Sequence, residues 1–235
     1  MLYKINLLTI FFISTFSIAQ NTDAEIVIEG NTMNMSGKGN LSNGFWVKSS
    51  SIKKEVVGTD YMVENWAETV ELHDVKNKSY KIPNSNFNIT HNRLESKIGD
   101  DKKAKTFIFD KKNVNDFVLQ NHLFVKKQID KKITYVESLS NEVGVNLYKY
   151  YFSEVIEAAF NTMTQKKMGK DKIVIKTKYY LEKQENVLTE LKFSKSGIIK
   201  SLSNSTELKK YIKSNHLKMK EEKEFIDVLH YYNTI

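Results

Sequence analysis

The sequence predicts a mainly β protein: a single antiparallel meander curled toward a half-barrel and closed by two C-terminal α-helices. Two observations carry that expectation. Between residues 45 and 194, short runs of alternating apolar and polar residues follow one another, with polar turns about every ten residues. After Phe193 the apolar spacing lengthens to that of a helix. A third observation concerns organisation, since Pro83 is the only proline and no Ser/Pro/Gly-rich linker or internal repeat divides the chain.

Taken in order, the chain opens with Lys4, an apolar run from Ile5 to Ile18, and small residues at Ser17 and Ala19. This is the pattern of a secretory signal peptide over 1–19, cleaved between Ala19 and Gln20. The run is short for a membrane span, which needs about 20 apolar residues, and no charged stop-transfer flank follows it. Residues 20–44, rich in Asn, Ser, Met and Gly toward their end, are expected to be a flexible lead-in. About 215 residues remain after cleavage, enough for one sizeable core.

The meander is expected over 45–194. Val70 to Val75 alternates, turns at Lys76-Asn77-Lys78 and returns as Ser79 to Ile82, which makes a hairpin. Phe87 to Ile89, Leu94 to Ile98, Thr106 to Phe109, Asp116 to Leu119, His122 to Val125 and Ile133 to Val136 repeat the grammar. Two longer runs follow at Val143 to Phe152 and Lys172 to Leu181, the second forming a hairpin with Val187 to Phe193. Between them, Gln165 to Asp171 is polar enough for an exposed loop, and Glu154 to Met163 is expected to be strand or irregular despite Ala158 and Ala159. Over 195–235, Asn204 is placed to cap a helix with Glu207 three residues on, and Leu208, Tyr211 and Ile212 share a face. A second helix from about Lys220 to Tyr232 carries the stripe Phe225, Val228, Leu229 and Tyr232. That stripe is expected to pack on the protein's own sheet; the other option is a membrane surface.

Composition excludes several functions. With no cysteine, the chain forms neither disulfides nor thiolate metal sites and carries no lipid-modified cysteine. A net charge of +8 invites nucleic acid, yet Arg93 is the only arginine and the lysines are interleaved with acids. A solvated lysine-rich surface is expected instead, with no nucleic acid, no cofactor and no membrane span after the signal. His73, His91, His122, His216 and His230 share no metal-ligand spacing, and of these His91 and His122 lie in or beside turns. No nucleophile elbow or dinucleotide fingerprint is present, and Ser36-Gly37-Lys38-Gly39-Asn40 lacks the spacing of a phosphate loop. Asp60, Glu64 and Glu68 are the nearest thing to a carboxylate group for glycoside hydrolysis.

Trp46, Tyr61 and Trp66 are the binding candidates, because Trp and Tyr stack on sugars and anchor interfaces at small entropic cost. The leading expectation is a non-catalytic exported module, in the periplasm or at the cell surface, that binds an envelope protein or glycan. A hydrolase with a carboxylate/histidine site at Asp60, Glu64, His91 or His122 is the alternative. A further option is membrane-surface association through the last helix.

Three stretches together carry a resemblance: Gly58 to Trp66 followed by Val70, Phe87-Asn88-Ile89 with Leu94-Glu95, and Tyr179-Tyr180-Leu181 with the lysine-rich end and Tyr231-Tyr232-Asn233. They resemble a family of uncharacterised exported proteins of Bacteroidetes. In that family a Gly-Ser-Pro-Tyr segment precedes Trp or Phe, and a Tyr-Asn motif precedes Leu/Ile-Glu. This sequence has Thr59-Asp60 in place of Ser-Pro and Thr69 where Gly is usual. The resemblance implies an exported compartment and the architecture above, and it supplies no catalytic residue.

Overall fold

The computed structural model describes residues 26–28, 31–33, 44–48, 56–66, 68–98, 105–203 and 205–235. The signal segment 1–19, the glycine run 36–40 and the cap Asn204 lie outside the described residues. So does most of the lead-in 20–44, apart from a ribbon of β1 (Ile26–Ile28) and β2 (Asn31–Met33) and the first residue of β3.

The fold is mainly β, its sheets are antiparallel-rich, it has C-terminal helices, and among the described residues no barrel closes. A four-stranded sheet contains β3 (Gly44–Lys48), β7 (Ser85–Asn88), β8 (Arg93–Ile98) and β9 (Lys105–Phe109), in the order β3-β9-β8-β7. The large sheet is built from β5 (Val70–Asp74), β6 (Ser79–Ile82), β10 (Val114–Leu119), β11 (His122–Ile129), β12 (Lys132–Ser138), β13 (Asn146–Ile156), β16 (Asp171–Gln184) and β17 (Val187–Leu191). Its order is β17-β16-β13-β12-β11-β10-β5-β6, with β4 (Val56–Val57) parallel to the start of β16. β14 (Phe160–Asn161) and β15 (Lys166–Lys167) make a small hairpin between β13 and β16. The meander is therefore interrupted, because β5 pairs with β10 while β7, β8 and β9 turn away into the smaller sheet.

Asparagine does the work that glycine does in most hairpins. Asn77, Asn84, Asn92, Asn121 and Asn186 all have positive φ, a region that Asn tolerates because its short amide bonds locally. Gln120-Asn121 and Asp130-Lys131 are two-residue loops with both φ values positive, the type I′ geometry that matches strand twist. Asn92 does more than turn. Its side chain accepts from the Tyr135 N–H at 2.8 Å and donates to the Tyr135 carbonyl at 2.9 Å, joining the β7–β8 turn to β12.

Alternation places one face of the large sheet against two apolar clusters. The first joins Leu72, Phe117, Phe124 and Tyr151 to Phe87, Leu94 and Phe107 of the smaller sheet, and Phe117 stacks on Phe124 at 4.9 Å. The second joins Leu147, Leu181 and Leu191 to three helices, α1 (Lys195–Ser201), α2 (Ser205–Ser214) and α3 (Glu222–Thr234). The structure thus has one helix more than the pattern announces. α1 is only seven residues long, and Ser194 caps it by accepting the Gly197 N–H at 3.1 Å.

The α3 stripe is occupied: Phe225, Val228 and Leu229 are buried in the second cluster, and Phe193 stacks between Tyr179 and Phe225 at 4.1 and 3.9 Å. No free apolar face is left there for a membrane. At its end, Asn233 accepts the Val145 N–H at 2.8 Å and donates to the Val145 carbonyl and the Glu142 carboxylate, both at 3.1 Å. Among the described residues no helix is long and apolar enough to cross a membrane.

Replacing Asn92 with Ala strands a buried backbone N–H and carbonyl. The variant is expected to lose about 2–4 kcal/mol in urea unfolding, at unchanged m-value. A loss below about 0.5 kcal/mol would show that the turn is not tied through this side chain.

Candidate functional site

A cleft lies where the β13–β16 hairpin crosses β4 and the β7–β8 turn. β13 has β12 beside it only at Glu137↔Lys149 and Ser138↔Tyr148, and β17 leaves β16 at Tyr179. Beyond those points the two strands run on as a ribbon, an arm that carries β14 and β15 at its tip. β4 braces its far end through Val56↔Asp171 and Val57↔Lys172. Gly58, at φ +110°, then passes so close that a Cβ would lie 2.7 Å from the Ile173 carbonyl oxygen, so this position requires glycine.

The cleft has a volume of about 820 Å³, with Val56, Val155 and Ile173 as its apolar lining. Asp60, Thr90, His91, Lys167, Lys170 and Asp171 supply its polar groups. The walls are held by hydrogen bonds. The Asp60 carbonyl accepts the Ile89 N–H at 2.7 Å, its carboxylate accepts the Thr90 hydroxyl at 2.5 Å, and the Thr90 and Ser153 hydroxyls are 2.7 Å apart. Lys167 bonds Asp171 at 2.7 Å, and this bond together with the Ala158 N–H holds the Asp171 carboxyl below its ordinary range. Ser153 meets a hydroxyl rather than an imidazole.

The structure brings Asp60 and His91 into this one cleft. Tyr61 follows Asp60 and bridges Asn88, and its hydroxyl donates to Glu95 at 2.9 Å. Glu95 is 1% exposed and also accepts from Arg93 Nε at 2.5 Å. Trp66 packs edge-on against Tyr61 at 4.8 Å with the Lys97 ammonium 4.4 Å from its ring centre. Trp46 does not join them. It pairs with Phe107, which pairs with Ser96, so it lies on the core face of the small sheet, whereas Glu95 and Lys97 point the other way. The three aromatics therefore form no single face. Tyr61, Asn88 and Glu95 converge here as an internal clasp. Glu64 is exposed and Glu68 accepts from Gln120 at 2.8 Å, and neither joins Asp60 in the lining of the cleft.

His122 belongs to a second cluster, on the core face between the two apolar clusters. Its Nδ1 lies 2.5 Å from Glu137, whose other oxygen accepts the Tyr151 hydroxyl at 2.6 Å. Beside it, Glu222 of α3 takes Lys149 and the Tyr179 hydroxyl, each at 2.6 Å. Burial opposes ionisation of Glu222, yet Lys149 and Tyr179 outweigh it and hold its carboxyl below the usual range. Of the charged and imidazole groups of this cluster, the sequence marks His122 alone. Glu137 and Lys149 had a signal, since each occupies a core-facing position in its strand where alternation expects an apolar residue.

No group of three or more metal-ligating side chains occurs among the described residues. Comparison with known proteins finds no matching family model, no matching curated protein and no matching solved structure.

Burial, together with the nearby carboxylates of Glu95, Glu182, Glu137 and Glu222, pushes the Tyr61, Tyr148, Tyr151 and Tyr179 hydroxyls far above the ordinary phenol value. Burial does the same to Tyr135. A raised pKa stabilises the fold fully below the unfolded value and is lost as pH rises above about 10 toward the folded value. Absorbance titration is expected to find these five of the twelve tyrosines silent until the chain unfolds in alkali. Free titration of all twelve in the folded protein would contradict it.

Proposed function

We propose that the protein is an exported envelope component that works as a binding module, without chemistry of its own, and that the cleft beneath the arm is its binding site. The supporting observation is the cleft itself. Its volume falls within the range typical of ligand pockets, about 300–1,000 Å³, and a few convergent polar groups surround an apolar lining. Its ligand is an envelope component, a glycan or a segment of an envelope protein. Hydroxyls and carboxylates that converge above apolar side chains suit the alternating polar and apolar faces of either. Export rests on the signal-like N-terminus.

Ile173→Trp fills the cleft from its apolar side. The variant is expected to keep its fold by circular dichroism and to bind solubilised envelope proteins or soluble cell-wall glycan fragments at least tenfold more weakly than the unmutated protein. Equal binding by the two would remove the cleft from the proposal.

One observation favours a second reading, a hydrolase. His122 is 43% exposed, and the buried Glu137 holds it at one ring nitrogen, the way an imidazole is oriented for general-base work. Under that reading His122→Ala lowers turnover of envelope glycans or peptides about 100-fold or more, whereas an inactive unmutated protein rules the reading out.

A further inference from the structure

The arm ends in a tip that presents three large apolar side chains to solvent. Phe160 is 59% exposed, Met163 94% and Met168 69%, and Val155 and Ile156 on the arm behind them are also exposed. The tip is nonetheless ordered by its own hydrogen bonds. The Asn161 side chain accepts the Met163 and Thr164 N–H groups at 2.9 and 3.1 Å, and the Met168 N–H donates to the Ala159 carbonyl at 2.7 Å. A built turn that presents its largest apolar side chains to water is a contact surface rather than a fraying end.

Charge sets the kind of contact. Between residues 154 and 178 there are six lysines and three acids, so the arm is net positive. Lys167 pairs with Asp171, Lys176 with Glu154 and Lys178 with Glu190. Lys166, Lys170 and Lys172 are exposed and make no ion pair among the described residues. These three flank the apolar tip on its return strand. Shape adds a second constraint. The tip is convex, and a protein receptor would need a pocket to match it, whereas a bilayer accepts any apolar apex that brings cations to its headgroups.

We propose that the arm tip is a membrane-contact element whose ligand is the surface of an anionic phospholipid bilayer. Phe160, Met163 and Met168 enter the boundary between headgroups and acyl chains, and Lys166, Lys170 and Lys172 lie against the phosphates. Lys170 also lines the cleft, whereas Phe160, Met163, Met168, Lys166 and Lys172 do not, so the apolar changes below test the contact separately from the binding reading above.

The absence of cysteine makes the test direct, because Met163→Cys creates a unique labelling position. The chain beginning at Gln20, which contains every residue described, is labelled there with an environment-sensitive fluorophore. It is then floated with phosphatidylcholine vesicles that contain or lack phosphatidylglycerol. Expected are flotation only with the anionic vesicles, a blue-shifted label quenched by lipid-borne quenchers, and release by added salt. The triple change Lys166→Gln, Lys170→Gln, Lys172→Gln is expected to weaken binding on the order of 100-fold, because each lysine contributes about fivefold near such a surface. Phe160→Ser with Met163→Ser is expected to abolish flotation without altering the melting temperature. Recovery in the soluble fraction alone overturns the proposal. So does flotation with the label still in water, flotation indifferent to these substitutions, or tip-dependent capture of an envelope protein without flotation.

Discussion

Four hydrogen bonds of one kind join the parts of this protein: a tyrosine hydroxyl donating to a glutamate that is buried or half-buried. Tyr61 to Glu95 clasps the segment before β5 to the small sheet, and Tyr151 to Glu137 links β13 to β12. Tyr148 to Glu182 ties β13 to β16, and Tyr179 to Glu222 ties the sheet to α3. A chain with no cysteine and a single arginine has neither disulfides nor guanidinium forks for this purpose. A phenol bonded to a carboxylate is a serviceable substitute, because charge-assisted hydrogen bonds are the stronger kind and the aromatic ring fills the core beside them. Each carboxylate has a further donor: Arg93 at Glu95, His122 at Glu137, Lys127 at Glu182 and Lys149 at Glu222. Every buried side-chain polar atom among the described residues finds a partner.

Much of the fold was legible because strands and turns are local. The alternation from Val70 onward marks β5 through β13, β16 and β17 to within a few residues, and asparagines mark several of the turns between them, whereas β15 falls in the stretch expected to be an exposed loop. The pairing of β5 with β10 was not legible. Leu72 and Phe117 look equally apolar whether their strands are neighbours or far apart, and nothing local says that three intervening strands leave for another sheet. The parallel contact of β4 is two residues long and has no periodic signature at all. The short α1 was hidden for a similar reason, since seven residues hold barely two helical turns of pattern.

The candidate sites divide along the same line. Asp60 and His91 were identified by residue type, but their meeting depends on where the arm crosses, which is a tertiary fact. Trp46 and Trp66 looked like one aromatic group and lie on opposite faces, because strand parity decides direction more strongly than proximity in the chain. The cleft and the arm also share material. Val155 and Ile173 line the cleft from the same ribbon whose far end carries Met163, and the Asp60–Thr90–Ser153 chain of hydroxyls fixes that ribbon to the body. The arm's direction is therefore set by residues more than 60 positions earlier in the chain.

A ribbon that stands clear of its sheet exposes unpaired backbone along its edges, and such edges invite strands from other copies of the same chain. Lys172, Lys176 and Lys178 recur at alternate or next-alternate positions on one face of β16. Two arms laid edge to edge would bring these ammonium groups into rows of like charge. The arm can thus remain long, apolar at its end and solitary, and Lys172, one of the lysines that suit it to an anionic surface, also helps to make it a poor template for self-association.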